Sequence, residues 1–303
     1  MRHVVQLLGP TGSGKTRVAL EAARALGAEI ISADSVQVYQ GFDIGTAKAS
    51  PQERQRIPHH LIDIIGDCEQ FNASKFLELS FAAAEGIWSR GRVVLACGGT
   101  ALYLRVMMQG IFPESRANGR DELRKEAAAR GWPALHRDLE RIDPAYAAKI
   151  SVNDHLRLVR ALEIHRHSGL PPSEAFRLSR SPFAGCRFIR VGLHREREAL
   201  YRAIDARVER MLAAGLVAEV RGLLEKHPPS CPPFRSLGYK EVLAHLRGEI
   251  SLAEARELIQ RHSRQYAKRQ LSWFRQESDI RWFPADDPGA VIGHVRECLS
   301  SAP

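Results

Sequence analysis

Glycines, a lysine and a threonine near the start of the chain are spaced as in a loop that binds phosphate. Residues 4–8 (VVQLL) form a short apolar run, residues 9–16 (GPTGSGKT) fit the pattern G-x-x-x-x-G-K-T, and a helical pattern follows. Such glycines let backbone N–H groups point at one anion, and the N-terminus of the following helix adds about half a positive charge. We expect Lys15 to bind a diphosphate and Thr16 to offer its hydroxyl to Mg²⁺. The predicted phosphate-binding residues are Gly9, Pro10, Thr11, Gly12, Ser13, Gly14, Lys15 and Thr16.

A carboxylate follows the next predicted strand. Residues 29–35 (EIISADS) are typical of a short strand that ends in polar residues. Because the carboxyl ends of parallel strands face the ligand crevice of a doubly wound sheet, we expect Asp34 to lie beside the phosphate loop. The alternatives are a capping carboxylate at Asp34 and a glycine-rich turn without a ligand at residues 9–16.

A third group of candidates follows the run at residues 92–97 (RVVLAC), which is typical of a central parallel strand. A P-loop protein that hydrolyses ATP often has an aspartate at the end of such a strand to hold Mg²⁺. Here the strand ends in Gly98, Gly99 and Thr100, which argues against a standard ATPase. The two glycines permit a close approach of the backbone to a ligand. For Thr100, capping of the next helix is the alternative.

An arginine interrupts an apolar helical stripe. Arg207 shares the stripe with Leu200, Ile204 and Met211. A charge on a core-facing stripe is costly unless it is paired, so we expect a carboxylate or a bound anion to meet it. The alternative is an arginine at the edge of the stripe whose guanidinium reaches solvent.

These groups need a sheet to bring them together, and the apolar runs predict one. Strand candidates lie at residues 4–8, 29–35, 59–64, 92–97, 186–193 and 280–283. Helical patterns separate them, so the predicted fold class is α/β, a P-loop doubly wound parallel sheet flanked by helices. Residues 112–184 contain no strand candidate, and we predict an all-helical insertion domain there. The P-loop α/β catalytic core then comprises residues 1–111 and 185–303.

Two predicted helices, at residues 154–168 and 251–276, carry basic residues away from their apolar positions. The expected buried positions are Leu156, Val159, Leu162 and Ile164 in the first helix, and Ile259, Tyr266 and Trp273 in the second. The basic positions are Arg157 and Arg160 in the first helix, and Arg261, Lys268 and Arg275 in the second. Each basic face is either solvated surface or a track for a nucleic-acid backbone.

The composition favours a large partner. The 303 residues carry a formal net charge of +9, an excess that a protein of small nucleotides does not need, so we expect a polyanionic partner. No apolar run is long enough to span a bilayer, and the first residues do not resemble a signal peptide. The five cysteines are scattered without CxxC spacing, which predicts reduced thiols in a cytoplasm and neither disulfides nor zinc.

Together these residues resemble the tRNA dimethylallyltransferases, also called tRNA isopentenyltransferases, of the bacterial type, over nearly the whole chain. The phosphate loop and residues 31–39 (ISADSVQVY) resemble the family's most distinctive segments. Further matching segments follow in the family's order at residues 43–48 (DIGTAK), 58–63 (PHHLID), 98–100 (GGT), 160–163 (RALE), 238–241 (GYKE) and 264–270 (RQYAKRQ). Several motifs in one order are far more specific than a phosphate loop alone.

The resemblance implies transfer of a dimethylallyl group from dimethylallyl diphosphate to N6 of the adenine 3′-adjacent to the anticodon of tRNA (position 37). A carbon–oxygen bond breaks, so the loop would hold the leaving diphosphate, with Mg²⁺ as cofactor. The implied catalytic residues are Asp34 as general base, Thr100 near the bridging oxygen and Arg207 on the diphosphate. The implied enzyme is a cytoplasmic monomer that binds the anticodon stem-loop and no membrane.

The residues that the resemblance assigns to tRNA contact lie in both predicted domains. They are Asp34, Ser35, Val36, Gln37, Thr100, Arg124, Leu156, Arg157, Leu158, Val159 and Arg160. The target base would flip out of its stack to reach the site while the insertion grips the stem-loop. Two other functions stay open at this point. A small-molecule P-loop kinase leaves the basic helices unexplained, and an RNA-binding ATPase leaves Asp34 beside Gly-Gly-Thr unexplained.

Overall fold

A parallel six-stranded sheet lies at the centre of the computed structural model, which describes residues 1–66, 68–112 and 119–301. The strands are β1 (His3–Leu8), β2 (Ala28–Ser32), β3 (His59–His60), β4 (Val93–Gly98), β5 (Arg187–His194) and β6 (Arg281–Pro284). Their order in the sheet is β3-β2-β4-β1-β5-β6, and every described pairing is parallel. In the centre, Val5 of β1 is in register with Leu95 of β4 and Ile189 of β5. The predicted α/β fold with a parallel sheet is confirmed.

Helices connect the strands. They are α1 (Lys15–Leu26), α2 (Pro51–Arg56), α3 (Ala73–Ser89), α4 (Ala101–Gln109), α5 (Gly119–Arg130), α6 (Trp132–Ile142), α7 (Pro144–Ala147), α8 (His155–Ser168), α9 (Pro172–Leu178), α10 (Arg197–Ala213), α11 (Leu216–Leu224), α12 (Tyr239–Leu246), α13 (Leu252–Phe274) and α14 (Pro288–Ser300). Apolar side chains of α1 and α14 pack on the strands, with Val18 and Val295 in one cluster with Leu7, Leu95 and Val191. Burying each such side chain contributes about 1.5–3 kcal/mol to folding, which fixes the strand ends that carry the site.

The chain divides into two compact units, residues 1–108 with 185–303, and residues 109–184. The borders lie close to those predicted at residues 112 and 184. All described strands belong to the first unit, and α5 to α9 belong to the second. We refer to residues 109–184 as the helical unit.

Strand β3 is shorter than predicted. The expected strand covered residues 59–64, but only His59 and His60 pair with β2. Leu61 and Asp63 have positive φ angles of 64° and 57°. An extended strand does not accommodate this left-handed backbone, so the chain leaves the sheet at Leu61.

In helix α8, the prediction of a buried Leu156 is wrong. Leu156 is 79% exposed, whereas Leu158 is fully buried among the apolar side chains of α5 and α6. Residues two positions apart on a helix point in directions that differ by about 200°, so Leu156 and Leu158 cannot both face the same core. Val159, Leu162 and Ile164 are buried as expected.

In helix α13, the predicted apolar stripe is buried at its first position and exposed at its last. Ile259 is buried, but Trp273 is 36% exposed and stacks under the Arg105 guanidinium, 4.7 Å from the ring centre. Seven residues fall about 20° short of two full turns, so positions that are fourteen residues apart have drifted by about 40°. Gln270 and Phe274 take the buried positions at this end of the helix.

The expectation that all five cysteines are free thiols is also corrected. Cys68 and Cys231 form a disulfide with their Cα atoms 4.9 Å apart, while Cys97, Cys186 and Cys298 are free. The paired residues are 163 positions apart. The spacing of neighbouring cysteines in the sequence therefore cannot predict this disulfide, because only the fold brings the two residues together.

Candidate functional site

The phosphate loop between β1 and α1 has a backbone that only glycines permit. Gly9, Gly12 and Gly14 have φ angles of 153°, 79° and 93°. A Cβ atom at Gly9 would lie 2.8 Å from the Leu193 carbonyl oxygen, and one at Gly12 would lie 2.7 Å from Cγ1 of Ile204. Beyond the loop, the first N–H groups of α1 have no intrahelical acceptor, as at any helix start. They are available to an anion.

Lys15 begins helix α1 directly after the loop and is partly buried. Its Nζ donates a hydrogen bond to the Pro10 carbonyl at 2.7 Å. Burial, together with the nearby charge of Arg207, lowers the pKa of Lys15 to about 8, while the charge of Asp34 opposes the shift. Ser13 is also buried, and its Oγ has no hydrogen-bond partner among the described residues. A bound anion would stabilise the lysine ammonium and give the serine hydroxyl an acceptor.

Arg207 projects from α10 to the same loop. Its Nη1 donates to the Thr11 hydroxyl at 3.2 Å, and its Nη2 donates to the Thr46 carbonyl at 3.4 Å. Burial lowers the pKa of Arg207, which the charge of Asp34 partly offsets. Within the described chain, Arg207 forms no ion pair with a carboxylate. Of the two expected partners, this arrangement favours a bound anion.

Asp34 follows β2 and borders the same cavity as the loop. Its Oδ1 accepts hydrogen bonds from the N–H groups of Val36 at 2.8 Å and Gln37 at 3.2 Å. The capping turn considered as an alternative is therefore present. Asp34 Oδ2 makes no hydrogen bond to any residue that the structure describes. One oxygen orders the turn, and the other is free to meet a substrate.

Gln270 joins the phosphate loop to the turn after β4, a role that sequence reasoning missed. Its Oε1 accepts the Thr11 N–H at 2.8 Å, and its Nε2 donates to the Gly99 carbonyl at 2.8 Å. A Cβ atom at Gly99 would lie 2.2 Å from that nitrogen, so a side chain there would displace the Gln270 amide from its bond. Burial raises the pKa of Tyr266 to about 12, and the side chains of Gln270 and Thr100 oppose this shift. A glutamine on the apolar side of α13 was the available clue.

Glu219 of α11 orders the loop at residues 43–46, and it was also missed. Its carboxylate accepts the N–H groups of Asp43 at 3.2 Å, Ile44 at 2.7 Å and Gly45 at 3.3 Å. It also accepts the Tyr239 hydroxyl at 2.6 Å. The loop in turn presents the carbonyl of Thr46, the acceptor of Arg207. Glu219 therefore positions the site from a distance.

These groups surround one cavity of about 680 Å³. Its described lining has one carboxylate, that of Asp34, and eight lysine and arginine side chains. The cationic residues are Lys15, Arg17, Arg195, Arg207, Arg210, Arg235, Lys240 and Arg269. Such an excess of positive charge selects an anionic ligand. Ser35, Val36 and Gln37 also line the cavity, whereas Thr100 is not part of the lining but directly follows Gly98 and Gly99, which are.

In the helical unit, the residues assigned to tRNA contact differ in exposure. The side chains of Arg124 and Arg157 are 58% and 65% exposed, and Leu156 is also exposed. Leu158 and Val159 are buried in the core of the unit. The predicted contacts of Leu158 and Val159 with tRNA stay a prediction, and their burial leaves these two side chains little surface to offer.

Arg160 has a structural task within the helical unit. Its Nη1 donates to the carboxylate of Glu163 at 2.9 Å, and its Nη2 donates to the Phe112 carbonyl. Glu163 is 3% exposed and also pairs with Arg120 at 3.0 Å. A buried carboxylate without these partners would be strongly destabilising, so Arg160 holds the unit together.

No helix within the described ranges is long and apolar enough to cross a membrane.

Known proteins resemble this chain over most of its length. A family model described as IPP transferase matches residues 37–277. The tRNA dimethylallyltransferase of Geobacter metallireducens is 47% identical over 286 residues, which cover 92% of each chain. That of Desulforudis audaxviator is 43% identical over 98% of this chain and 97% of its own length.

Solved structures with the same fold cover the whole chain. The full-length tRNA isopentenylpyrophosphate transferase of Bacillus halodurans superposes with a TM-score of 0.73 at 35% identity, over 99% of this chain and 97% of its own. A eukaryotic dimethylallyltransferase acting on tRNA gives a TM-score of 0.86 at 26% identity, over 100% of this chain and 81% of its own. The family match, the identity to full-length relatives and the shared fold show that this chain belongs to the IPP transferase family.

Proposed function

We propose that this protein transfers the dimethylallyl group of dimethylallyl diphosphate to N6 of the adenine 3′-adjacent to the anticodon of tRNA, releasing diphosphate. One observation carries the proposal, namely that a phosphate loop and a single carboxylate share a cationic cavity. The names of the relatives supply the class of reaction. The diphosphate explains the cations, and the amine nucleophile explains the carboxylate.

Asp34 is the proposed general base. An adenine amine is a weak nucleophile, because its lone pair is delocalised into the ring. As the new nitrogen–carbon bond forms, one N6 proton passes to Asp34 Oδ2, which has no other partner within the described chain. The hydrogen bonds from Val36 and Gln37 to Oδ1 hold the carboxylate in place.

The cations around the loop stabilise the leaving group. When the carbon–oxygen bond breaks, its electron pair moves onto the diphosphate, which gains negative charge. Lys15, Arg207 and the N–H groups at the start of α1 already surround the loop, so little reorganisation is needed as that charge develops. The Thr100 hydroxyl completes the proposed catalytic set as a hydrogen-bond donor to the bridging oxygen, and Thr100 directly follows Gly99 of the cavity lining.

Mg²⁺ fits the donor set at this loop. Mg²⁺ prefers oxygen ligands and usually keeps several waters while it binds substrate phosphates. Thr16 offers an exposed hydroxyl in the first turn of α1, and we propose it as the protein ligand. A bound Mg²⁺ would neutralise part of the charge on the departing diphosphate.

For tRNA, we propose contacts at both units. The segment 34–37 and Thr100 would meet the flipped adenine, and the exposed side chains of Arg124, Leu156 and Arg157 would meet the anticodon stem-loop. The exposed arginines and lysine of α13 would add phosphate contacts. We further propose that the enzyme acts as a monomer in the cytoplasm, where tRNA is modified.

Changing the acceptor base tests the proposal. The purified protein is incubated with Mg²⁺, dimethylallyl diphosphate and an unmodified tRNA with adenine at the target position. We expect one dimethylallyl group per tRNA, located at that adenine by nuclease digestion and mass spectrometry. The matched tRNA with guanine at this position should gain none, because it lacks the N6 amine. Equal labelling of both tRNAs, or of neither, would contradict the proposal.

A further inference from the structure

Three sulfur and nitrogen side chains meet outside the cavity just described. Cys68 and Cys231 form the disulfide, and Cys68 Sγ lies 3.8 Å from Nδ1 of His227. The three ligand atoms all lie within 4.8 Å of one another. Within the described ranges, no other three residues among the histidines, cysteines and acids come this close in a shape that could hold a metal ion.

The chemistry of the cluster is that of a zinc site. His227 and Cys231 have the spacing H-x₃-C, which lies within the range of paired ligands in structural zinc sites. Two thiolates and an imidazole favour Zn²⁺ over hard ions such as Mg²⁺. Cys231 is 2% exposed, and the buried ring of Phe42 lies 6.3 Å from the imidazole ring. A disulfide with a purely structural role does not need an imidazole at its side.

We propose that Cys68, His227 and Cys231 bind one Zn²⁺ when the two cysteines are reduced. The three side chains supply two thiolates and one nitrogen, and water completes the tetrahedral shell. The disulfide is the oxidised form of the same site. A low-molecular-weight disulfide takes two electrons from the two thiolates, the Cys68–Cys231 bond forms, and Zn²⁺ and two reduced small thiols are released. The proposal does not depend on the proposed function.

The location gives the site a structural role. Cys231 directly precedes the short 3₁₀ helix Pro232–Arg235, after which residues 235–238 line the cavity. Cys68 lies three residues beyond Ile65, which forms a bridge with Tyr39. Zn²⁺ would therefore tie the segment of Cys68 to the segment that leads into the cavity lining in the reduced protein, as the disulfide does in the oxidised protein.

Titration of the reduced protein with Co²⁺, a coloured substitute for Zn²⁺, tests the proposal. We expect one Co²⁺ per chain, with the charge-transfer absorption of thiolate-bound cobalt, and its displacement by one equivalent of Zn²⁺. Cys68→Ser and Cys231→Ser should remove this absorption. His227→Ala should weaken binding by about tenfold or more, since losing even an outer partner of a ligand typically costs 10–100-fold.

Cys298→Ser is the matched control. Cys298 also lies 3.8 Å from a histidine nitrogen, that of His294, but no third ligand joins this pair in the described chain. Its replacement should leave the Co²⁺ absorption unchanged. If the unsubstituted protein binds no more Co²⁺ than Cys68→Ser, or if Cys298→Ser removes the absorption, the proposal is wrong.

The unsubstituted chain provides a second readout that does not depend on the folding of variants. Oxidised glutathione added to the zinc-loaded protein should release one Zn²⁺ per chain while two protein thiols disappear. Loss of two thiols without release of Zn²⁺ would overturn the proposal. So would a disulfide that cannot be reduced in the native protein.

Discussion

At the residue scale, Asp34 combines the two interpretations that the sequence left open. Oδ1 caps the turn through the N–H groups of Val36 and Gln37. Oδ2 has no partner in the part of the chain that the structure describes, and the residue borders the cavity. Structural and chemical tasks are thus divided between the two oxygens, so a substitution that preserves Oδ1 can separate them.

Replacing Asp34 by Asn should slow the chemical step by about two to four powers of ten, the usual contribution of a general base. Asparagine retains an oxygen that can accept the hydrogen bonds of the turn, so tRNA should bind as before. Single-turnover transfer and tRNA binding, measured separately, check this. A near-normal rate of transfer would remove Asp34 from the role of base.

Lys15 should make substrate binding dependent on pH. Because burial lowers its pKa to about 8, the free protein loses the ammonium charge as pH rises through that value. Dimethylallyl diphosphate binds the charged form of Lys15 more tightly than the neutral form. Its Kd should therefore increase above pH 8, and the increase should approach about tenfold per pH unit. Isothermal titration between about pH 7 and 9.5 measures this.

Lys15→Arg is the matched variant for this measurement. Arginine stays charged over the whole range, so the pH dependence of Kd should flatten. A wild-type Kd that does not change from about pH 7 to 9.5 would show that the Lys15 ammonium does not contact the diphosphate.

Much of the site could be anticipated from single residues, but its supporting contacts could not. Gly12, Gly14, Lys15, Asp34 and Arg207 were all singled out from the sequence, and the structure places them at one cavity. Gln270 and Glu219 act on backbone groups that lie 259 and 174–176 positions away in the chain. No local pattern contains contacts of that kind, because they exist only when the sheet is assembled.

At the scale of elements, α11 and α13 position the loops that carry the chemistry. Glu219 accepts three backbone N–H groups of one loop, and Gln270 bridges two others. Helices are stiff, so a contact fixed on a helix places a flexible loop with little variation. Because seven residues of α13 fall short of two full turns, a strict seven-residue pattern drifts around the helix. Gln270 therefore faces inward and Trp273 faces outward, which that pattern does not predict.

Glu219→Gln tests this positioning. The amide offers only one acceptor oxygen, and its NH₂ group faces backbone N–H donors, so about 1–3 kcal/mol of loop stabilisation should be lost. With the Thr46 carbonyl less firmly held, kcat should fall while tRNA affinity stays constant. Steady-state kinetics and tRNA binding separate the two effects.

Glu225→Gln, an exposed residue just beyond the same helix, is the control and should behave as wild type. If Glu219→Gln lowers Tm and kcat no more than Glu225→Gln does, the loop does not depend on Glu219.

At the scale of the whole molecule, the net charge of +9 suits a polyanionic substrate. The division into a core and a helical unit could be predicted, because a long stretch without strand candidates interrupts an alternating pattern. Which side chains of the helical unit are exposed could not, because Leu156 and Leu158 are equally apolar. Their exposure depends on how α8 rotates against its neighbours.

Arg157→Ala should weaken tRNA binding and reduce the slope of log K against log salt by about 0.7–0.9, the contribution of one phosphate contact. Arg141→Ala is the matched control, because its side chain is 78% exposed in the same unit and has no proposed contact. Filter binding at several salt concentrations gives both slopes. Identical slopes for the two variants would show that Arg157 is solvated surface and makes no phosphate contact.

In the proposed reaction, the phosphate loop holds a leaving diphosphate and does not activate a phosphoryl group. Dimethylallyl diphosphate labelled with ¹⁴C in the dimethylallyl group and ³²P in the diphosphate separates these possibilities in one reaction with unmodified tRNA. We predict equal amounts of ¹⁴C in the tRNA and of ³²P in free diphosphate. Appearance of ³²P on an acceptor, or release of diphosphate without ¹⁴C in the tRNA, would show that the loop does not hold the leaving group of a dimethylallyl transfer.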